Sequence, residues 1–230
     1  MKVMKLLAAA AGMTGMAFAG TSTAVAESTL DIVKKRVHLR CQVGQPSPGF
    51  YNLDKDGNWY GSDVAVCRAI AAAVLGDANK VEFQSVSTPQ RVTAMANGES
   101  DVLSRTTTWT LLRDTQLGLD FTTVNFYDGQ GFMVRIDSGI KSALELAGAT
   151  ECVATGTTTE LKLAAYSRAN NLDIEQVNLE DKNVSHETLY KGGCDAVTND
   201  KSGLASTKDE FPDQEHFMTL HEKNPKEPTG

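Results

Sequence analysis

Two threonine-rich segments carry the side chains best suited to holding a small anion. Thr106-Thr107-Thr108-Trp109-Thr110 precedes Arg113, and Gly156-Thr157-Thr158-Thr159 stands at the start of a predicted helix. Threonine hydroxyls donate single hydrogen bonds, arginine donates a pair to a carboxylate, and a helix N-terminus offers free N–H groups. Capping of its own helix is the simpler interpretation of either segment alone, and binding of a carboxylate is the alternative.

A single acidic residue follows the segment Asp195–Thr198, which is predicted to form a strand. Asp200 lies just past the carboxyl end of that strand. It could cap a helix that begins at Ser202, or it could pair with the ammonium group of a ligand. Its position alone favours the cap.

Signatures of catalysis are missing from the sequence. The four histidines share no motif, and a solvated surface position is expected for each of them: His38, His186, His216 and His221. The sequence contains no G-x-S-x-G elbow, no P-loop and no G-x-G-x-x-G after a strand. We therefore expect no catalytic residue, no metal and no cofactor.

The composition is that of an ordinary globular protein with an acidic balance. The chain has 230 residues, of which 22 are Lys or Arg and 29 are Asp or Glu, and its formal charge is −7. This length allows one large domain or two small ones. The acidic balance argues against a nucleic-acid partner, because phosphate binding needs an excess of basic residues.

Residues 1–26 differ in composition from the rest of the chain. Lys2 and Lys5 precede the apolar stretch 6–18, and a run of small residues ends with Ala24-Val25-Ala26. This order is typical of a secretory signal peptide that is cleaved near Ala26. A retained membrane anchor is the alternative, but the stretch is short and rich in Ala and Gly. The sequence therefore predicts export.

Export changes the interpretation of the four cysteines, because disulfides persist in oxidising compartments. Four cysteines allow three connectivities, and the sequence alone does not choose among them. The simplest pairing joins Cys41 to Cys67 and Cys152 to Cys194, which gives one bridge in each half of the chain.

Strand and helix signals alternate along the chain in two similar halves. Helix, glycine, two residues, aspartate and an apolar strand occur in both, at Gly98–Asp101 and at Gly192–Asp195. Ser62 is expected to cap one helix, and Thr88-Pro89 to begin another. The order predicts an α/β protein with two parallel-sheet lobes, in which ligands lie at the carboxyl ends of the strands.

From Thr29 to Pro228 the chain closely resembles the polar and general L-amino-acid-binding proteins of bacterial ABC importers, which are solute-binding proteins of family 3. Several strings carry the resemblance: Pro48-Gly49-Phe50, Gly57-Asn58-Trp59, Asp101-Val-Leu-Ser-Arg-Thr-Thr-Thr-Trp-Thr110, Tyr127-Asp-Gly-Gln-Gly-Phe-Met-Val134, Gly156-Thr-Thr-Thr-Glu-Leu161 and Lys226-Glu-Pro228. The family also has cysteines at these four positions, which supports the pairing above.

The resemblance implies a two-lobed periplasmic-binding-protein fold of type II, with parallel or mixed sheets flanked by helices. Lobe 1 would span residues 27–128 and lobe 2 residues 129–222, with a first crossing near 128–131 and a second crossing beginning at 223–230. Family members continue with a further C-terminal stretch, so the resemblance implies a C-terminally truncated chain whose first lobe is incomplete. Such a fragment is expected to be less stable than a completed chain.

The resemblance also implies a function, namely a periplasmic receptor that binds polar L-amino acids (glutamate, glutamine, aspartate, asparagine or a broader set). Its partners would be the amino acid and the permease of an ABC importer, through which alone it would meet the inner membrane. It would act as a monomer and bind no nucleic acid.

The site residues that the resemblance implies surround the two charged groups of the ligand. Arg113 would grip the α-carboxylate and Asp200 the α-ammonium. The assisting residues would be Thr106, Thr108 and Thr158 for the carboxylate, Phe50 packing on the ligand, and Arg105 facing an acidic or amide side chain.

A secreted enzyme on the same fold, such as a periplasmic dehydratase or a sensor-fused hydrolase, is the alternative function. An enzyme needs an acid/base pair or a nucleophile in the cleft. The candidate side chains here are hydroxyls, arginines and one aspartate, a set that suits the holding of a zwitterion.

Overall fold

The computed structural model describes residues 27–221 and 227–229. The predicted signal peptide, 1–26, lies outside the described residues, and so do 223–226 and 230 of the predicted second crossing. Within the described part of the chain, no helix reaches the length and apolarity that crossing a bilayer requires.

The first part of the chain, here called lobe 1, is built on a small parallel sheet. Strand β1 (Leu39–Val43) lies in the middle and pairs with β4 (Val81–Ser85) on one side and β5 (Val102–Leu103) on the other. The elements are α1 (Thr29–Arg36), β1 (Leu39–Val43), β2 (Asn52–Leu53), β3 (Trp59–Tyr60), α2 (Ser62–Leu75), β4 (Val81–Ser85), α3 (Arg91–Ala96), β5 (Val102–Leu103) and α4 (Leu111–Thr115).

Helix α2 packs its apolar face on this sheet. Val64, Cys67 and Ala71 recur at helical spacing and are fully buried in the core of lobe 1. The residue that precedes the helix is Gly61, whose φ of 125° excludes most other residues and whose position lacks a side-chain cap. Ser62 is therefore the first helical residue rather than the cap that the sequence predicts.

The second part, here called lobe 2, is built on a five-stranded mixed sheet of order β11-β7-β10-β8-β9. Strands β10, β8 and β9 are parallel, whereas β7 runs antiparallel to β10 and β11. The elements are β7 (Gln130–Arg135), β8 (Thr150–Ala154), α5 (Thr158–Asn170), β9 (Glu175–Leu179), α6 (Lys182–Tyr190), β10 (Ala196–Asp200), α7 (Lys201–Lys208) and β11 (Phe217–Thr219).

The two faces of this sheet bury different apolar clusters. Phe132 of β7 and Val153 of β8 enter one cluster, and the adjacent residues Met133 and Cys152 enter the other. Successive side chains of a strand point to opposite faces, so helices cover both sides of the sheet. This arrangement fixes the carboxyl ends of β8, β9 and β10 in one row.

A two-stranded ladder lies next to the connection between the lobes. Strand β6 (Phe126–Asp128) pairs antiparallel with β12 (Glu227–Thr229), and β7 begins two residues after β6 ends. The backbone N–H of Trp109 donates to the carbonyl of Pro228 at 2.9 Å, which ties β12 to the threonine-rich loop. Strand β12 therefore packs beside β6, the strand that directly precedes β7 of lobe 2.

One disulfide lies in each lobe. Cys41 of β1 is bonded to Cys67 of α2, and Cys152 of β8 to Cys194, which stands just before β10. The bridged Cα atoms are 6.2 and 6.0 Å apart, a usual separation for disulfides. The pairing with one bridge per half is confirmed.

Two further predictions from local patterns are wrong. Thr88-Pro89 forms a turn, and the helix after it begins only at Arg91, because the Thr88 hydroxyl is used in a contact with Asp181 of lobe 2. His186 is buried rather than solvated, and its ring nitrogens contact Thr207 and Asn199. Burial lowers the pKa of His186 to about 3, so the ring is neutral at physiological pH.

Candidate functional site

A cleft lies between the lobes at the carboxyl ends of strands from both sheets. It contains about 400 Å³ of empty space, part of it open to solvent. The lining side chains are Tyr51, Thr88, Arg91, Arg105, Thr106, Thr108, Arg113, Ala154, Thr157, Thr158, Thr159, Lys182, Asn199 and Asp200. Six of the seven residues predicted to bind a ligand are therefore brought together, and Phe50 is not among them.

The threonine-rich loop after β5 is held by a buried carboxylate. Asp63 Oδ2 accepts a hydrogen bond from the backbone N–H of Thr106 at 3.1 Å, and Asp63 Oδ1 accepts from Ser104 and Asn125. Thr106 itself has a φ of 48°, a conformation that needs such support outside glycine. Thr110 ends the loop by capping α4, so the loop is fixed at both ends.

Arg113 presents its charge to the cleft from a buried position on α4. Its side chain is almost fully buried, and Nη1 donates to the backbone carbonyl of Thr108 at 2.7 Å. Burial lowers the pKa of Arg113, whereas the negative charge of Asp200 raises it. The hydrogen bond to Thr108 thus fixes the guanidinium against the threonine-rich loop. The guanidinium also lies near enough to Asp200 for the two charges to interact.

Asp200 ends β10 and precedes α7, but its side chain does not cap that helix. Asp128 takes the capping role, because its carboxylate accepts from both the backbone N–H and the hydroxyl of Ser202. Burial raises the pKa of Asp200 to about 7, and the nearby charge of Asp128 contributes to this rise. The interpretation of Asp200 as a helix cap is wrong, and its carboxylate faces the cleft instead.

The glycine-threonine segment opens α5 at the opposite wall. Thr157 is the N-cap, since its hydroxyl accepts from the backbone N–H of Glu160 at 3.0 Å. Thr158 follows it, and its hydroxyl lies 3.1 Å from that of Thr108 in the other lobe. The two threonine-rich segments therefore meet across the cleft, with the N-terminus of α5 behind them.

Arg105 and Phe50 have different surroundings. Arg105 is buried, and its guanidinium donates to the carbonyl of Val86 at 2.6 Å and to the hydroxyl of Thr88 at 3.0 Å. Phe50 packs in the core of lobe 1, with its ring edge-to-face against Phe126 at 5.3 Å between centroids. The contact of Phe50 with a ligand stays a prediction, and its neighbour Tyr51 lines the cleft.

Four polar lining residues were not singled out from the sequence: Tyr51, Arg91, Lys182 and Asn199. Arg91 and Lys182 are the first residues of α3 and α6, the helices that follow β4 and β9. The rule that ligands lie at the carboxyl ends of parallel strands points to both positions. A search for charged residues shortly after every predicted strand would have found them.

Several hydrogen bonds join the two walls of the cleft. The Thr88 hydroxyl donates to Asp181 Oδ2 at 3.1 Å, and Arg91 Nη2 donates to the carbonyl of Gly156 at 3.1 Å. Asn183 Nδ2 donates to the carbonyl of Pro46 at 2.9 Å. These contacts hold the cleft in a closed arrangement.

The donor set of the cleft suits an anion rather than a metal. Its polar groups are mostly guanidinium, ammonium and hydroxyl groups. In residues 27–221 and 227–229, no group of three or more His, Cys, Asp or Glu side chains is arranged to hold a metal ion. Cationic side chains and hydroxyl donors instead favour carboxylates.

Comparison with protein families gives one match that covers most of the chain. The model of the "Bacterial extracellular solute-binding proteins, family 3" matches residues 39–224. Among the solved structures, an ABC transporter/periplasmic binding protein from Brucella ovis with glutathione bound has a TM-score of 0.83 and 44% sequence identity. That similarity covers 89% of this chain and 64% of the Brucella chain.

Two curated relatives are similar over nearly the whole chain. The glutamate/glutamine/aspartate/asparagine-binding protein BztA of Rhodobacter capsulatus is 49% identical over 90% of this chain and 61% of its own length. The general L-amino acid-binding periplasmic protein AapJ of Rhizobium johnstonii is 46% identical over 98% of this chain and 66% of its own length. The chain thus spans less than two thirds of either relative.

The family match and the structural similarity agree with the architecture described above. Two α/β lobes, one with a parallel sheet and one with a mixed sheet, enclose a cleft at their strand ends. This is the two-lobed periplasmic-binding-protein fold of type II. The chain belongs to family 3 of the bacterial extracellular solute-binding proteins.

Proposed function

We propose that this chain is an extracytoplasmic receptor that binds polar L-amino acids in its cleft and delivers them to the permease of an ABC importer. One observation carries the proposal, namely that Arg113 and Asp200 line the same cleft. An amino acid carries a carboxylate and an ammonium group on one carbon atom, so its site needs a cation and an anion close together. The receptor performs no catalysis.

Each wall of the cleft has its own part in recognition. Arg113 binds the α-carboxylate, and the hydroxyls of Thr106, Thr108 and Thr158 add single hydrogen bonds. Asp200 binds the α-ammonium from lobe 2. Because these groups come from both lobes, the ligand makes its full set of contacts only in the closed state, so binding favours closure.

The names of the relatives support an amino-acid ligand. BztA is named for the binding of glutamate, glutamine, aspartate and asparagine, and AapJ for general L-amino-acid binding in the periplasm. These two names support the ligand class, and the charges of the cleft agree with it. The Brucella protein is named an ABC transporter/periplasmic binding protein, which supports the transport role.

The proposal includes the organisation of the chain and its compartment. Residues 1–26 form a signal peptide cleaved near Ala26, after which the receptor is a periplasmic monomer. Residues 27–128 form lobe 1, residues 129–222 form lobe 2, and residues 223–230 begin the second crossing. The bacterial extracellular family and the two disulfides support this location.

Isothermal titration of residues 27–230 with each of the twenty amino acids tests the proposal. Polar L-amino acids are expected to bind one per chain and to be recovered chemically unchanged after prolonged incubation. Failure of every amino acid to bind would contradict the receptor function, and conversion of a bound amino acid would contradict the absence of catalysis.

Amino-acid affinity is expected to fall as the pH drops below about 7. The pKa of Asp200 is about 7 in the free protein, and pairing with the ligand ammonium lowers it. Above this pKa the carboxylate is already ionised, whereas below it binding must release a proton. For each unit by which the pH is lowered below about 7, the dissociation constant should therefore rise by up to about tenfold. Titrations between pH 5.5 and 8.5 would measure this change.

The Asp200→Asn variant is the matched control for this pH dependence. It keeps the shape of the side chain without an ionisable group, so its weaker binding should be almost independent of pH over the same range. His186 does not titrate there, because burial lowers its pKa to about 3. A flat profile for the unmodified protein would contradict the role of Asp200.

A further inference from the structure

The cleft carries more positive charge than an amino-acid zwitterion requires. Among its lining residues in the described chain, four are cations, Arg91, Arg105, Arg113 and Lys182, and one is a carboxylate, Asp200. The α-carboxylate and α-ammonium of a ligand match Arg113 and Asp200. Three cations of the lining are then left over.

Lys182 is held inside the cleft by a residue of the other lobe. Its Nζ donates to the Tyr51 hydroxyl at 3.1 Å and lies 5.0 Å from the centre of that ring. Burial alone would raise the pKa of Tyr51, but the positive charges of Lys182 and Arg105 outweigh it and lower this pKa. The ammonium is thus fixed at the cleft wall, in a region of positive potential.

Arg91 and Arg105 add two guanidinium groups that are almost completely buried. Each guanidinium donates a hydrogen bond to the backbone: Arg91 donates to the carbonyl of Gly156, and Arg105 donates to the carbonyl of Val86. The Nε atom of each is buried without a hydrogen-bond partner among the described residues. A buried N–H group of a charged side chain that lacks an acceptor destabilises the protein, and a ligand oxygen that accepts a hydrogen bond from it removes this penalty.

We infer that Arg91, Arg105 and Lys182 form a second anion subsite, which takes a negatively charged ligand side chain and makes the receptor select acidic amino acids over their amides. The inference rests on the proposed function, since it assumes that the α-groups of an amino acid occupy Arg113 and Asp200. A carboxylate accepts several charge-assisted hydrogen bonds and offsets part of the positive charge.

An amide of the same shape fits this subsite poorly. Its carbonyl accepts hydrogen bonds, but its NH₂ group is a donor and would face the donors of Lys182 and the arginines. Closure over an amide also leaves three desolvated cations without a counter-charge. Selectivity for acidic amino acids therefore arises from repulsion between the amide NH₂ group and the cationic donors, as well as from attraction between the carboxylate and the same donors.

Glutamate and glutamine are the probes for this subsite, because they differ little in shape and by one charge. At pH 8, the unmodified chain is expected to bind glutamate at least about tenfold more tightly than glutamine. Lys182→Met removes the charge but keeps a straight side chain. It should remove most of the advantage of glutamate, because glutamate binding weakens while glutamine binding stays the same or strengthens as the repulsion of its NH₂ group is relieved.

Lys191→Met is the matched control, since Lys191 stands exposed at the far end of the same helix and pairs with Glu187. It should leave the ratio of the two affinities unchanged. Arg91→Gln provides a second variant in which the ratio should also fall, and thermal unfolding of each variant checks that it is folded.

The outcomes separate the subsite from the receptor function. Equal binding of glutamate and glutamine by the unmodified chain, or an equal loss for both ligands in Lys182→Met, would overturn the subsite and leave the amino-acid receptor intact. Failure of all amino acids to bind would overturn both proposals. A reduced glutamate-to-glutamine ratio in Lys182→Met, with an unchanged ratio in Lys191→Met, would support the subsite.

Discussion

A Glu151→Val variant is expected to unfold at a temperature several degrees higher than the unmodified protein at neutral pH. Glu151 lies on the interior strand β8 and is fully buried, and its two carboxyl oxygens have no hydrogen-bond partner among the described residues. Its neighbours Val153 and Ala196 belong to an apolar cluster of lobe 2. Valine has a similar volume, favours strands and leaves no buried polar group unpaired.

The stabilisation by valine is expected to grow with pH. Burial raises the pKa of Glu151 from 4.5 to about 8. Below pH 4.5 the group is neutral in both states. At higher pH the unfolded chain releases a proton that the folded chain keeps, which lowers the free energy of unfolding by about 1.4 kcal/mol per pH unit. The accumulated loss is roughly 3 kcal/mol near pH 7, and it levels off above the folded-state pKa.

Two variants separate the charge of Glu151 from its polarity. Glu151→Gln cannot ionise, so it should lose the pH dependence while keeping a buried polar group. Glu175→Val makes the same exchange at an exposed position of the adjacent strand β9, where a small effect independent of pH is expected. Thermal unfolding between pH 5 and 8.5 measures all three. A lower melting temperature for Glu151→Val would mean that the carboxyl group has a stabilising role in lobe 2.

The location of the candidate site can be predicted from the sequence. Each half of the chain alternates apolar strands with helices, and short connections of this kind give parallel strands whose carboxyl ends share one edge. Thr106 and Thr108 follow β5, Thr158 follows β8 as the first residue of α5, and Asp200 is the last residue of β10. Strand order therefore brings these side chains together before any detail of packing is known.

The local roles of polar residues are harder to predict, because contacts distant in sequence decide them. Thr88 has the sequence context of a helix cap, but its hydroxyl donates to Asp181, 93 positions away. Asp200 has a similar context, and Asp128 replaces it as the acceptor for Ser202. Capping rules describe only neighbouring residues, so they fail where another strand or lobe supplies the competing partner.

The burial of ionisable residues is the feature that is hardest to predict from the sequence. Strands of a parallel sheet are covered on both faces, so the position of Glu151 between apolar residues does not say which environment its carboxyl group enters. His186 and Arg91 belong to helices with mixed polar and apolar faces, and only the contacts of those helices with the sheets and the opposite lobe bury them. Tertiary packing, rather than any motif, determines these cases.

Removing either charge that meets the α-groups of the ligand is expected to weaken amino-acid binding by roughly 2–5 kcal/mol. In the closed cleft the ligand is desolvated, so Arg113→Ala leaves its carboxylate without a cation, and Asp200→Ala leaves its ammonium without an anion. Isothermal titration of both variants with the same amino acid measures the loss. The double variant should lose less than the sum of the two, because both charges belong to one bound ligand.

Purely structural roles for these residues would give a different pattern. Asp200 makes no capping bond and burial raises its pKa, so Asp200→Ala should lose affinity without any decrease in melting temperature. Arg113 also supports the carbonyl of Thr108, so its replacement should reduce both stability and affinity. Arg168→Ala and Asp173→Ala, which make the same exchanges at exposed positions of lobe 2, should change neither. Nearly intact affinity in both site variants, with lowered melting temperatures, would contradict the assignment, because a zwitterion enclosed by both lobes needs an opposite charge for each of its groups.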